Sequence, residues 1–269
     1  MLLEFKTSNY KSFKDELVFS LVPAPKQKGL DYSILEENIV GKKYRGLCSA
    51  VIYGPNASGK TNIIGAMDTF KSIVLRGNLR NEEAKMDPNA AAGALELIPN
   101  NSIDIALPVS FSIKFTTDGM LIEYGFSADL GMFLDASHDR RVLTEALYVN
   151  EEMVFLRNDE LEFGTLKEIE PLLVNAFAQN QEGAVALAKS NLSAEELFLM
   201  NGFKNMFSAK LVAAISNWLI HKFMVIYRAD AMQSIRKFSD PQKKSIYVEK
   251  TLNGAAACFG INCDAVRYI

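Results

Sequence analysis

The sequence predicts an α/β fold: a β-rich N-terminal lobe, residues 1–165, followed by a mostly helical region, 166–269. Three observations predict it. An apolar run, LCSAVIY (47–53), enters a glycine-framed loop and leaves it in a helical pattern. Residues 107–163 alternate with a period of two around turn signals. Beyond about 165 the apolar period lengthens to three and four.

In chain order, Leu2 to Lys6 alternates weakly and leads to the turn-like SNYKS, and ELVFSLV (16–22) is a second strand candidate. Pro23, Pro25 and Gly29 mark a loop that GKKYRG (41–46) ends, and LCSAVIY reads as a buried strand. After the glycine loop, Ile63, Ile64, Met67, Phe70, Ile73 and Val74 recur at helical spacing, predicting one buried face and a stop near Gly77. Residues 78–104 are polar, Ala-rich and expected to be irregular. LPVSFSIKF and MLIEYGFSADL flank Asp118-Gly119, a turn pair that tolerates positive φ, so they predict a hairpin. VLTEALYV and MVFLR predict another around Asn150-Glu151, making 107–163 an antiparallel meander. Farther on, Phe207, Leu211, Ile215, Trp218 and Leu219 line one face of a helix expected over 205–222. KFMVIY (222–227) reads as a short strand, and 242–259 as a helix capped by Gly260.

Composition narrows the function classes. The 269 residues are 49% hydrophobic, with 29 Lys plus Arg against 32 Asp plus Glu, a net charge of -3. A surface basic throughout is excluded, so any DNA contact would need a local patch such as Lys42-Lys43-Tyr44-Arg45 or Arg140-Arg141. Glu4 and Lys6 interrupt the apolar stretch a signal peptide needs, and the protein reads as cytoplasmic, with no membrane partner. Its three cysteines show no zinc-ligand spacing. His138 is expected in a loop and His221 near a helix end.

Gly54-Pro55-Asn56-Ala57-Ser58-Gly59-Lys60-Thr61 fits G-x-x-x-x-G-K-S/T, a phosphate-binding loop. Successive backbone N–H groups must curl toward anionic oxygens where a helix begins, and glycines allow that curl. Lys60 supplies an ammonium for the β- and γ-phosphates; Thr61 supplies a hydroxyl for Mg2+. ATP with Mg2+ is the expected ligand, since no N-K-x-D guanine motif occurs.

Carried through Asn62, this loop resembles that of ABC-type ATPases, particularly the soluble branch containing RecF, the SMC proteins and the OLD-type phage-defence ATPases. FKTSNYKSF (5–13) looks like the strand and turn those proteins place before the loop. The stretch Glu123-Tyr124-Gly125-Phe126 resembles the β-subdomain of prokaryotic AAA-type ATPases of this branch. The likeness spans roughly residues 1–155. It implies an ABC-ATPase-head-like P-loop NTPase in which Lys11, Ser12 and Lys14 lie near the nucleotide. It also implies ATP sandwiched between two copies, in a homodimer that controls an effector protein in DNA maintenance or phage defence.

Hydrolysis in that family needs an apolar strand ending in Asp-Glu, an L-S-G-G signature and a switch His. MVFLRNDE (153–160) is interrupted by Arg157 and Asn158, the latter beginning an expected turn with Asp159. FMVIYRAD (223–230) lacks a following Glu, and LSAEEL (192–197) lacks glycine, so Ser193 and Glu196 read as a helix capping box. No Q-loop glutamine is placed. The expectation is therefore the N-terminal part of a larger ATPase, completed by a C-terminal half or a partner subunit. A module that binds ATP without turning it over is the alternative, and a small-molecule kinase fits the meander less well.

Overall fold

The computed structural model describes residues 1–25, 29, 31–56, 58–79, 99–100, 102, 105–132, 138–175, 177 and 180–226, with short strands at 246–247 and 267–268. The chain divides into two compact units, Met1–Tyr227 and Arg228–Ile269. In the second unit, β10 (Ile246–Tyr247) pairs antiparallel with β11 (Arg267–Tyr268).

The first unit is built on one sheet of seven strands: β1 (Leu2–Ser8), β2 (Leu17–Ser20), β5 (Val109–Thr117), β6 (Met120–Asp129), β7 (Arg141–Val149), β8 (Glu152–Arg157) and β9 (Leu161–Phe163). The spatial order is β2-β1-β5-β6-β7-β8-β9, every neighbour antiparallel. Alternation creates the two faces: Val109, Phe111, Ile113 and Phe115 of β5 are buried, while Ser110, Ser112 and Lys114 point the other way. Asp118 and Gly119 (φ 49° and 75°) and Asn150 and Glu151 (φ 53° and 71°) make the two expected tight turns. The turn at Asn158 is also present, with Asn158 N donating to Glu160 O at 2.9 Å.

Helix α1 (Lys60–Arg76) buries its apolar face on this sheet. Phe70 sits at the centre, its ring 5.9–6.3 Å from those of Phe5, Phe111, Tyr124 and Phe126. Gly77 ends the helix in the left-handed region at φ 79°, its N–H bonded to Ile73 O. Beyond the meander come α2 (Gln181–Ser190), a π-helical turn (Leu199–Phe203) running into Lys204–Met206, α3 (Ala209–Asn217) and a second π-helical turn (Trp218–Lys222). Phe155, Phe163, Phe198, Phe203 and Phe207 join them to the sheet in one aromatic cluster.

Several expectations need correction. The helix expected over 205–222 keeps its buried face but breaks at Phe207–Ser208. There the Ser208 hydroxyl accepts from Leu211 N at 3.1 Å, capping α3, and donates to Leu172 O at 2.7 Å. Ser193 caps no helix. Residues 192–195 are irregular, and the Ser193 and Glu196 carbonyls instead accept from the buried Arg157. Phe223–Ile226 is not a strand, and neither is 48–53, which was expected as the buried strand entering the loop. Beyond Cys48, whose N–H bonds to Ser33 O at 2.9 Å, that apolar stretch joins no ladder: Val51 and Tyr53 are 84% and 90% exposed, and only Ile52 packs on the core. A strand requires a neighbouring edge for its backbone groups, and no described strand lies beside this one. What precedes it is a hairpin the sequence did not announce, β3 (Ile34–Ile39) with β4 (Lys42–Leu47), turning on Val40 and Gly41 at φ 45° and 74°. The helix expected over 242–259 lies outside the described residues except for β10, which is strand.

Candidate nucleotide-binding site

The local sequence dictates the start of α1. Gly59 is its N-cap at φ 87°, a left-handed conformation, and no side chain caps the first-turn amides. Space imposes a second constraint on the same residue. A Cβ there would stand 2.6 Å from Ser12 Oγ and 3.3 Å from the Phe13 ring. The loop therefore rests directly against the turn that follows β1. The first turn of α1 is tightened by Asn62 N donating to Gly59 O at 2.9 Å.

Lys60 bends back over the loop, Nζ donating to Gly54 O at 2.8 Å and to Pro55 O at 2.5 Å. One ammonium thus bonds two loop carbonyls at the positive end of the helix. Gly54, Pro55, Asn56, Ser58 and Thr61 are exposed to solvent; Ala57 lies outside the described residues. Glycines where side chains would clash, first-turn amides without a side-chain cap and a cation beside them suit an anionic phosphate chain. The exposed Thr61 hydroxyl is a hard oxygen donor of the kind Mg2+ takes.

Of the three residues expected near the ligand, Ser12 is in contact with the loop's helix: Asn62 Nδ2 donates to its Oγ at 2.8 Å. Lys11 shares that turn at φ 48°, its ammonium 5.1 Å from the centre of the Tyr10 ring. Lys14 is exposed, and its carbonyl accepts from Asn9 N at 3.3 Å. The turn is pinned from below by the Tyr10 hydroxyl on Thr69 Oγ1 at 2.9 Å, and by Asn100 Nδ2 donating to Lys11 O at 2.6 Å. Among the described residues no group of three or more His, Cys, Asp or Glu converges where a metal could be held. No described helix is long and apolar enough to cross a membrane.

The basic clusters face acids. Lys42 reaches Glu151, while Lys43 and Arg45 reach Glu36 at 2.5 and 3.1 Å; Arg141 meets Asp129 at 3.2 Å. His138 Nε2 also contacts Asp129, at 2.9 Å, and His221 lies in the last turn of its helical segment.

Sequence reasoning missed Glu145. Fully buried on β7, it accepts from the Tyr124 hydroxyl at 2.9 Å, Phe198 N at 2.6 Å and Leu199 N at 2.9 Å, with Arg157 NH1 3.8 Å away. Burial pushes its carboxyl above the usual range while these donors and Arg157 pull it back; burial pushes the Tyr124 phenol well above its ordinary value.

The family described as "AAA domain, putative AbiEii toxin, Type IV TA system" matches residues 49–186, just over half of the chain. The match takes in the whole glycine loop, α1 and the meander. The chain belongs to this family, and its domain is of the AAA, P-loop ATPase type. No curated protein and no solved structure matches the chain.

Proposed function

We propose that the chain binds Mg·ATP through Gly54–Asn62 and serves as the nucleotide-holding lobe of an ATPase of the ABC-type, RecF/SMC/OLD-like branch. The observation that carries this is Lys60 stretched back over a loop framed by Gly54 and Gly59 at the start of α1. Backbone amides from Ser58 to Asn62 would bind the phosphates, Lys60 would exchange its two carbonyl partners for phosphate oxygens, and Thr61 would hold the metal. Bound Mg2+ neutralises charge on the phosphates. Ser12 positions the helix through Asn62, and Lys11 and Lys14 add positive potential on the neighbouring turn.

In this reading the segment 49–53, which joins no described ladder, is a strand awaiting an edge. That edge would come from another part of the whole protein or from a partner subunit, and with it the acidic residues needed for turnover. A cytoplasmic, ATP-dependent homodimer that governs an effector in DNA maintenance or phage defence follows from the resemblance. The toxin–antitoxin wording of the family supports an effector-linked role. The second reading, a nucleotide sensor or scaffold without turnover, draws on the lack of a metal-binding acidic cluster among the described residues.

Calorimetry with Mg·ATP tests binding. Saturable heat that disappears in Lys60→Ala is expected, and a folded chain indifferent to millimolar Mg·ATP and Mg·GTP would overturn the reading. Phosphate release by the whole gene product separates the two forms: release that Lys60→Ala abolishes marks an ATPase, and equal background rates mark a sensor.

A further inference from the structure

The C-terminal half of α1 is fastened at two points to the helical segments, and each point meets a π-helical turn. At the first, Gly77 O accepts from Leu197 N and from Asn201 Nδ2, both at 2.9 Å. Asn201 itself lies in the first π-turn, whose wide register is closed by Phe203 N on Phe198 O at 2.8 Å. At the second, Lys71 Nζ donates to Phe223 O at 2.8 Å, and Phe223 N closes the other π-turn on Trp218 O at 2.9 Å. Both closures span five residues, one more than an α-helix, so each can relax to α register by a one-residue shift of its hydrogen bonds.

The geometry points to a relay in which α1 is the rod and the two π-turns are the elements that change state: nucleotide occupancy at Gly59–Thr61 is reported to the segments Leu197–Phe203 and Trp218–Phe223. This rests on the nucleotide reading above. The argument is mechanical. Bringing a phosphate chain to the loop takes Lys60 off Gly54 O and Pro55 O, releasing the contacts that now tie the first residue of the helix to the loop. A 17-residue helix is about 25 Å of stiff rod at 1.5 Å per residue, packed in an interior that compresses little. A shift at one end therefore reaches Lys71 and Gly77 at the other. The carbonyl of Gly77 holds two donors, and Met200 lies so near that a Cβ on Gly77 would stand 2.9 Å from it. Movement there must be taken up by the first π-turn. Glu145 holds that turn's other side through Phe198 N and Leu199 N, so the shift passes not into β7 but on to α3, where Ser216 Oγ meets Met200 Sδ at 3.9 Å two residues before Trp218.

The molecule carries its own reporter. Trp218 is the sole tryptophan, stacked on Phe115 with ring centres 3.8 Å apart and on Phe223 at 5.2 Å. The test titrates Mg·ATP into the full chain, following heat and Trp218 emission in parallel. Expected is a saturable emission change with the same midpoint as the heat. Asn201→Ala and Lys71→Met should keep affinity within about fivefold of wild type, the lower end of usual coupling between sites. They should lose half or more of the emission change. Heat without any emission change overturns the relay while leaving nucleotide binding intact, and so does full amplitude in the variants. No heat at all overturns the binding reading and the relay with it. Should Asn201→Ala fail to fold by circular dichroism, Lys71→Met decides, since it keeps the aliphatic stem and removes only the donor to Phe223 O.

Discussion

Gly59 carries two demands in one residue: a left-handed φ of 87° and a neighbour, Ser12 Oγ, standing where a Cβ would go. Its place was legible from spacing alone, because a curled phosphate loop leaves few residue types to choose from. Gly59→Ala should strain the loop by about 1–2 kcal/mol and weaken Mg·ATP by on the order of tenfold, read by calorimetry beside a thermal melt. Glu145 was not legible. A bulge between Ser127 and Ala128 places Leu143 as the extra residue on β7, and Glu145 then points inward with Leu147 and Val149. Nothing in LTEAL says that two amides from residues 198 and 199 will arrive to receive a carboxylate. Glu145→Gln leaves Arg157 buried without its counter-charge, and a loss of about 3 kcal/mol is expected in urea unfolding. The Tyr124 phenol, raised by burial, makes a pH prediction of definite sign. The folded state holds this proton more tightly than the unfolded chain, whose phenol titrates near 10.0. Its contribution to stability is therefore full below that pH and lost as pH climbs toward the folded value. The melting temperature should fall on going above pH 10, more steeply in wild type than in Tyr124→Phe.

Elements divide by whether their cause is local. The meander was legible because alternation and turn chemistry are both written within a few residues, as at Phe111-Ser112-Ile113 and Asp118-Gly119. The strand expected at 47–53 shows the converse. Its apolar run is genuine, but a ladder needs an edge supplied from elsewhere, and composition cannot supply one. The β3–β4 hairpin was missed because Val40 occupies a turn position that a β-branched residue rarely takes. Val40 is 69% exposed at φ 45°, so its strain is not repaid by packing. Val40→Asn should therefore stabilise the protein by about 1 kcal/mol, seen as a rise of roughly 2–4 °C in melting temperature. An unchanged or lower value would mean that the turn relaxes in solution. The broken helix at Ser208 has a similar lesson: periodicity found the buried face, while the break depends on Leu172 O, a partner 36 residues away.

On the scale of the whole molecule, the balance of charge matters more than any cluster. Lys42, Lys43, Arg45 and Arg141 each face a carboxylate, so these two basic clusters offer little free charge to displace counterions from a duplex. Affinity for DNA should be weak, with a log–log salt slope shallower than about −2; a slope near −6 in filter binding would contradict this. Nucleotide should act on the fold as a whole. At a hundredfold excess over Kd, a ligand that binds only the native state adds about 2.7 kcal/mol. Saturating Mg·ATP should accordingly raise the melting temperature by roughly 5–10 °C, an effect absent in Lys60→Ala. At this scale the sequence revealed the class of protein, and the family match agrees with it. It did not reveal how the first unit closes around one sheet, because that depends on aromatic side chains as far apart as Phe5, Phe70 and Phe207 meeting in one core.

The bare stretch leading into the loop also has a practical side. With Tyr53 standing 90% clear of the surface and no ladder to shield it, the bond to Gly54 is an open invitation to chymotrypsin. A single nick would sever the hairpin from the loop and spare the buried sheet. The rate of that nick is a clock for how firmly the entrance to the loop is held, readable on a gel with micrograms of material.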